Sequence, residues 1–221
     1  MINATLIDHM GTDLSVVNAA RVSFNKTSNW ELTDWRDSED YARKEVLSEA
    51  DTKLINYLAK HKHTSPFGHC FASFHIKAPI FVARQLVKHK FLRWNEISRR
   101  YVDDEPEFYQ PDEWRGRSED KKQGSDGVVD VGKIGDISLA SKTLYNSLLD
   151  RGVAPEQARM VLPQNTMTEW YWSGSLDAFA DMCNLRCAGD TQLETRLVAN
   201  QICNSMKELF PVSWFALRLE K

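Results

Sequence analysis

Between Arg84 and Tyr101 the chain carries Arg84, Lys88, Lys90, Arg93, Arg99 and Arg100, with only Glu96 opposing them. The whole chain holds 28 Lys and Arg against 31 Asp and Glu, a formal net charge of -3. The excess is therefore local and not a background trend. Concentrated positive charge with interleaved donors suits a phosphate group. Ser98 lies in the same stretch, but no His-and-acid pair stands near it in sequence to make it a nucleophile.

The elements that must hold these groups are legible in part. Pro79 suits a first helical turn, and Phe81, Val82, Leu86 and Val87 recur near the helical period. On such a helix Arg84 and Lys88, four apart, and Gln85 and Lys88, three apart, share a face. Ile97 to Val102 reads as a short strand or extended segment, which places Ser98 to Arg100 near a helix end with free N–H groups. From composition alone, a solvated basic helix with one apolar face reads equally well.

Other reactive side chains point less clearly. His61, His63 and His69 could begin a zinc site, but no fourth ligand is evident, and a loop of satisfied histidines is the commoner case; no metal is expected. Cys70, Cys183, Cys187 and Cys203 form no pair of close pairs. They read as reduced, small apolar residues, none of them catalytic. Trp170, Tyr171 and Trp172 read as core.

The 221 residues suffice for one domain, 1–221, and 42% hydrophobic with 27% charged content is ordinary for a soluble globular chain. There is no long apolar run and no secretory leader, so a cytoplasmic location is expected. Residues 3–9 read as an edge strand, with Asp13 capping a helix through Ala20. A polar loop over 25–40 and a helical pattern over 40–60 follow. Residues 70–78 alternate as a half-buried strand. Residues 103–133 read as a long exposed loop. Helices are expected over 134–151, 154–162, 176–187 and 191–210, the last ended by Pro211, and a strand over 166–172.

The order of motifs adds a resemblance. Lys88-His89-Lys90, seven residues, Ser98, with Asn95-Glu96 before and Arg100-Tyr101 after, resembles the Arg-His-Arg…Ser signature of the flavin-dependent thymidylate synthases. The outer arginines are lysines here, which keep charge and lose the planar fork. Ala19-Ala-Arg-Val-Ser-Phe24, the His63, Ser65-Pro-Phe, His69 cluster with Phe74 to Gln85, Ala158-Arg-Met-Val-Leu-Pro163, and Asn184-Leu-Arg186 with Gln192 and Glu194 are similar to further family motifs, in the same order.

The resemblance implies reductive methylation of dUMP to dTMP. The carbon comes from methylenetetrahydrofolate and the hydride from FAD reduced by NADPH. It implies that Arg186 activates the uracil by stabilising negative charge at nitrogen 3, which suits a permanently charged, multi-donor group. It places Gln85, Leu86, Val87, Lys88, Glu96, Ile97, Ser98, Arg99, Arg100, Arg159 and Arg186 at dUMP, with Arg100 and Arg159 on the phosphate. It places Ser65, Lys88, His89, Lys90, Glu96, Ser175, Asp177 and Asp181 at FAD. The last three stand where the family more often has Asn, Arg and Asn, and Gly68 replaces a usual Glu. A homotetramer with shared sites is implied as well. The expected fold is α+β (mixed α/β): an antiparallel-rich sheet packed with helices, plus a helical lobe. The rival from another class is a single-stranded nucleic-acid-binding module using Phe91, Trp94 and Tyr101 as stacking platforms.

Overall fold

A computed structural model describes residues 1–37, 40–119, 124–132 and 136–218. In chain order its elements are β1 (Asn3–Met10), α1 (Asp13–Arg21), β2 (Glu31–Asp37), β3 (Asp40–Val46), α2 (Glu49–Lys60), β4 (Phe71–Pro79), α3 (Ile80–Leu86) and β5 (Leu92–Glu96). There follow β6 (Arg115–Arg117), β7 (Ser125–Val128), α4 (Ile137–Asp150), α5 (Pro155–Ala158), β8 (Met167–Ser175), α6 (Leu176–Arg186), α7 (Leu193–Leu209) and α8 (Pro211–Leu217).

Alternation builds the main sheet. Ala72, Phe74, Ile76 and Ala78 of β4 are buried, while Ser73, His75 and Lys77 between them are half-buried. Thr168, Trp170 and Trp172 of β8 repeat the pattern. The four strands run antiparallel in the order β1-β4-β8-β5, so β1 is indeed an edge. The inner face packs on helices: Phe179 of α6 meets Phe74 and Trp172 edge-on at 5.2 and 5.6 Å. Val198, Ala199, Ile202 and Met206 form the buried stripe of α7. Each such large side chain contributes roughly 1.5–3 kcal/mol on burial. Buried Tyr145 lies outside this main core, in the lobe where α4 meets α5 and the 3-10 turn Arg159–Val161. The fold is thus the expected mixed α/β one with an antiparallel sheet.

Gly174 sets how closely β5 approaches β8. It pairs with Leu92, and a Cβ there would strike the Leu92 side chain and stand 3.0 Å from the Phe91 carbonyl oxygen. Only glycine permits that approach.

Several expectations are corrected. The strand of the basic stretch is Leu92–Glu96, not 97–102: pairing with β8 decides it, and the ladder runs out with a last bond from Ile97 N–H to the Glu169 carbonyl at 2.9 Å. α3 ends at Leu86, so Lys88 lies beyond the helix and does not extend the Arg84 face. Residues 31–46 form the β2–β3 hairpin where a loop and then a helix were expected, and α2 begins only at Glu49; positions 38–39 of the hairpin lie outside the described residues. Within 103–133, Arg115–Arg117 pairs with Ser125–Val128, and Phe108 bridges to Thr166. Finally, α1 is capped by a box on Thr12 and Ser15. Asp13 is buried and caps another helix, accepting from Val212 and Ser213 N–H at 2.9 and 2.8 Å at the start of α8. Pro211 ends α7 and opens α8 in one step.

Candidate active site

The basic stretch is cut into three pieces that face different neighbours. α3 carries Arg84, Gln85 and Leu86. The chain then turns, with His89 N–H on the Leu86 carbonyl at 3.1 Å and Phe91 left-handed at φ 64°, before entering β5. This turn points His89 inward, edge-on to Trp172 at 6.4 Å, between exposed Lys88 and Lys90.

Arg186 comes to meet it from the last turn of α6. Its Nε donates to His89 Nε2 at 2.9 Å, and its Nη2 donates to the Gln85 carbonyl at 3.2 Å. Two distant motifs, Lys-His-Lys and Asn-Leu-Arg, are thereby joined. Burial and the adjoining guanidinium push the His89 ring down to about 4, so it is a neutral acceptor at pH 7. Burial also lowers the Arg186 pKa from its ordinary value, yet an arginine keeps its charge. Of its five N–H donors two are engaged, which leaves the Nη1 pair and one Nη2 hydrogen for a ligand.

Gln85 is fixed in turn. Its Nε2 donates to Gln192 Oε1 at 2.5 Å, and its Oε1 accepts from Thr195 at 3.1 Å. Gln192 reaches the rim of a cavity of about 850 Å³ lined by Phe81, Tyr109, Trp114 and Glu194 among others. Buried Glu194 takes Arg115 Nη2 at 2.6 Å and the Tyr109 hydroxyl at 3.3 Å. Burial raises its pKa, but the Arg115 contacts prevail and hold the carboxyl below its usual value. Asn165 and Asp136 on the same wall serve loop and helix caps. This cavity holds Gln192 and none of the residues expected at the nucleotide or flavin.

On β5, Glu96 accepts from Thr168 Oγ1 at 2.7 Å and from Trp94 Nε1 at 3.1 Å. Trp94 stacks on Trp170 at 4.4 Å, so it is committed to the core and not offered to a base. Ser98 Oγ accepts from Arg100 N–H at 3.3 Å, which turns the chain. Arg99 donates to the Asp104 carbonyl at 2.7 Å. Arg100 and Arg159 are both exposed and both attach to Glu156: Arg100 Nε lies 4.0 Å from its carboxylate, and Arg159 Nε donates to its carbonyl at 3.3 Å. Held only by a 4.0 Å ion pair and one backbone carbonyl, the two arginines remain available to a phosphate. Glu156 was missed; its place three residues before Arg159 was the available signal. Thr168 and Thr195 carry no sequence signal at all.

Most residues expected at the flavin gather at one end of the sheet, whereas Glu96 pairs with Trp170 toward the other end of β5. The 3-10 turn Ser65–His69 packs on α6 and β8, Phe71 pairs with Ser175, and Leu92 pairs with Gly174. Lys88 and Lys90 have no ion-pair partner among the described residues, which fits an anionic cofactor on that side. The start of α6 does not fit one: Asp177 has a buried, unpartnered Oδ1, and burial together with Asp177 raises the Asp181 pKa. Two carboxylates there repel a pyrophosphate.

Elsewhere, His61 and His63 cluster on Tyr57, and no group of potential metal ligands is found among the described residues. Burial pushes the Cys70 thiol up to about 12 and raises that of Cys183, so neither is a thiolate at pH 7. Cys183 Sγ donates to the Ala199 carbonyl at 3.6 Å, and Cys203 Sγ accepts from Trp214 Nε1 at 3.4 Å. Trp170 and Trp172 are core, as expected, while Tyr171 is half exposed. No helix of the described residues is long and apolar enough to cross a membrane.

Comparison with known proteins adds the context. The family described as thymidylate synthase complementing protein matches residues 5–212. A flavin-dependent thymidylate synthase of Thermus thermophilus is 39% identical over 215 residues, covering 96% of this chain and 73% of that protein. One from Thermosipho africanus is 36% identical, covering 93% and 86%. Among solved structures, the UMP/dUMP methylase PolB of Streptomyces cacaoi bound with 5-Br dUMP is similar, with a TM-score of 0.75 and 31% identity over 98% of this chain and 94% of that one.

Proposed function

This chain belongs to the flavin-dependent thymidylate synthase family, and on that premise we propose that it methylates dUMP to dTMP, with methylenetetrahydrofolate as carbon donor and FAD recharged by NADPH. The observation that carries the reading is the held guanidinium of Arg186, two donors tied and three free. Carbon 5 of uracil is a poor nucleophile until negative charge on nitrogen 3 and its carbonyls is stabilised. A fixed cation there acts more strongly on the transition state than on the free nucleotide.

The remaining roles are proposed likewise. Arg100 and Arg159 take the phosphate, with Ser98 and Arg99 shaping the turn beside it. Gln85, Glu96 and the backbone of Leu86, Val87 and Ile97 line the sugar and base. The flavin, when bound, supplies the hydride; Lys88 and Lys90 attract its anionic part, with Ser65, His89 and Ser175 at the same sheet end. Asp177 and Asp181 are left out of that contact set. A homotetramer sharing sites is part of the proposal, supported by how exposed Arg100 and Arg159 are in one chain.

The test is an assay with dUMP, NADPH, FAD and methylenetetrahydrofolate. Expected are a yellow protein, NADPH oxidation accelerated by dUMP, and dTMP as product. A folded protein that binds no flavin at tens of micromolar FAD would overturn the reading.

A further inference from the structure

We propose that Gln192 and Thr195 are positioning residues: they clamp the Gln85 side chain, and through the Gln85 carbonyl they hold the Arg186 guanidinium in place for the uracil. This rests on the role given to Arg186 above.

Gln85 spans the corner between α6 and α7. Its carbonyl takes Arg186 Nη2 at 3.2 Å from the last turn of α6, and its amide meets Gln192 at 2.5 Å and Thr195 at 3.1 Å at the start of α7. The corner itself is closed by short bonds. Thr191 Oγ1 donates to the Leu185 carbonyl at 3.0 Å, Thr191 N–H to the Ala188 carbonyl at 3.0 Å, and Arg196 Nη1 to the Gly189 carbonyl at 2.8 Å. α3 has seven residues and ends at Leu86, so it owes its order to its surroundings. Buried Val82, Ala83 and Leu86 seat its inner face, and the clamp seats half-buried Gln85. Carbonyls of a last helical turn lack a helical partner, which leaves the Gln85 oxygen open to Arg186. Such a carbonyl fixes a guanidinium only where its own helix end is fixed. Thr195, buried within α7, is a rigid anchor for that end. The two atoms of the Gln85 amide are also told apart: the Thr195 hydroxyl donates to Oε1, and Gln192 Oε1 accepts from Nε2. One Nε2 hydrogen and one Oε1 lone pair stay free, aimed by the same clamp. Charge stabilisation works only where the donor is already in place.

The test separates this role from plain stability and from Arg186 itself. Thr195→Val keeps the shape and removes the donor, Thr195→Ser keeps the donor, and Gln192→Leu removes the acceptor. These, the Thr195→Val/Gln192→Leu pair and Arg186→Ala are compared with the parent for FAD affinity, KM for dUMP, kcat at saturating FAD and dUMP, and urea midpoint. The expected fall in kcat per folded molecule is about tenfold for Thr195→Val and for Gln192→Leu and about 100-fold for the pair, the cost of a misplaced catalytic group. Thr195→Ser should stay close to the parent, with FAD affinity unchanged throughout. Added to Arg186→Ala, the pair should lower the residual kcat no further. Parent-like kcat in the pair beside an impaired Arg186→Ala would overturn this inference alone, whatever the urea midpoint. So would a loss confined to KM, which makes Gln85 a ligand only, or a loss that follows FAD affinity. Gln192 is half-buried at the cavity rim, so Gln192→Leu decides if the pair does not fold, and parent-like kcat there overturns the inference too. A fully active Arg186→Ala would overturn the reading of Arg186 beneath it.

Discussion

Thr168 Oγ1 donates to Glu96 Oε1 at 2.7 Å, so a buried hydroxyl of β8 orients the only acid of the basic stretch. Trp94 Nε1 takes the other oxygen, and the carboxylate is aimed by two fixed donors. Thr168→Val keeps the shape and removes one donor. A hydrogen bond to a charged group is worth about 1.5–3 kcal/mol. With Glu96 at the nucleotide, dUMP affinity should fall by about tenfold, or ~1.4 kcal/mol. Titration of flavin fluorescence with dUMP reads it; unchanged affinity would remove Glu96 from the nucleotide site.

The two arginine roles are separable. Arg186→Lys keeps the charge and loses the geometry shared between His89 and Gln85, and should lower kcat by about 100- to 1000-fold, or ~2.7–4 kcal/mol. Arg159→Lys should be milder and appear mainly in KM, because phosphate accepts a point charge well. Single-turnover product formation for both variants is the measurement. A parent-like Arg186→Lys beside a failed Arg159→Lys would show the roles reversed.

Stability should respond at Asp13, far from the chemistry. Its carboxylate ties the start of α1 to the start of α8 through one buried and one part-buried N–H bond. A cap is typically worth about 1 kcal/mol, and bonds to charge about 1.5–3 each. Asp13→Ala should therefore lose about 2–4 kcal/mol in urea unfolding, while kcat per folded molecule stays unchanged. A loss below ~0.5 kcal/mol, the usual scale of surface changes, would contradict the buried cap.

His89 predicts a pH window. Its folded pKa lies near 4, below the ordinary 6.5. Between those values the unfolded chain binds a proton that the folded chain refuses, so stability falls as pH drops from about 6.5 toward 4. Above 6.5 the ring is neutral in both states and the contribution is complete. His89→Gln removes this titration, so the gap between the parent's and the variant's urea midpoints should change in that window and stay constant from pH 7 to 8. A constant gap down to pH 4.5 would contradict the depressed pKa.

Local periodicity is written in the chain, because it needs only neighbours. The β4 alternation from Phe71 to Ala78, the turn of α3 opened after Pro79, the α4 and α7 helices and the order of motifs were all legible. What failed depends on partners far away. The strand of the basic stretch lies at 92–96 because β8 and the space over Gly174 put it there. The β2–β3 hairpin exists by its own cross-strand pairing, which a polar composition concealed. Asp13 looks like a cap for the helix it begins, and it caps one 199 residues on, because α1 and α8 pack together. The sequence by itself named Arg186 and His89, each in its own motif. That the two touch, across 97 residues, was decided only by the turn after α3 and the end of α6 meeting beside β8. A hydrogen bond of 2.9 Å is a property of backbone placement, and no spacing along the chain encodes it.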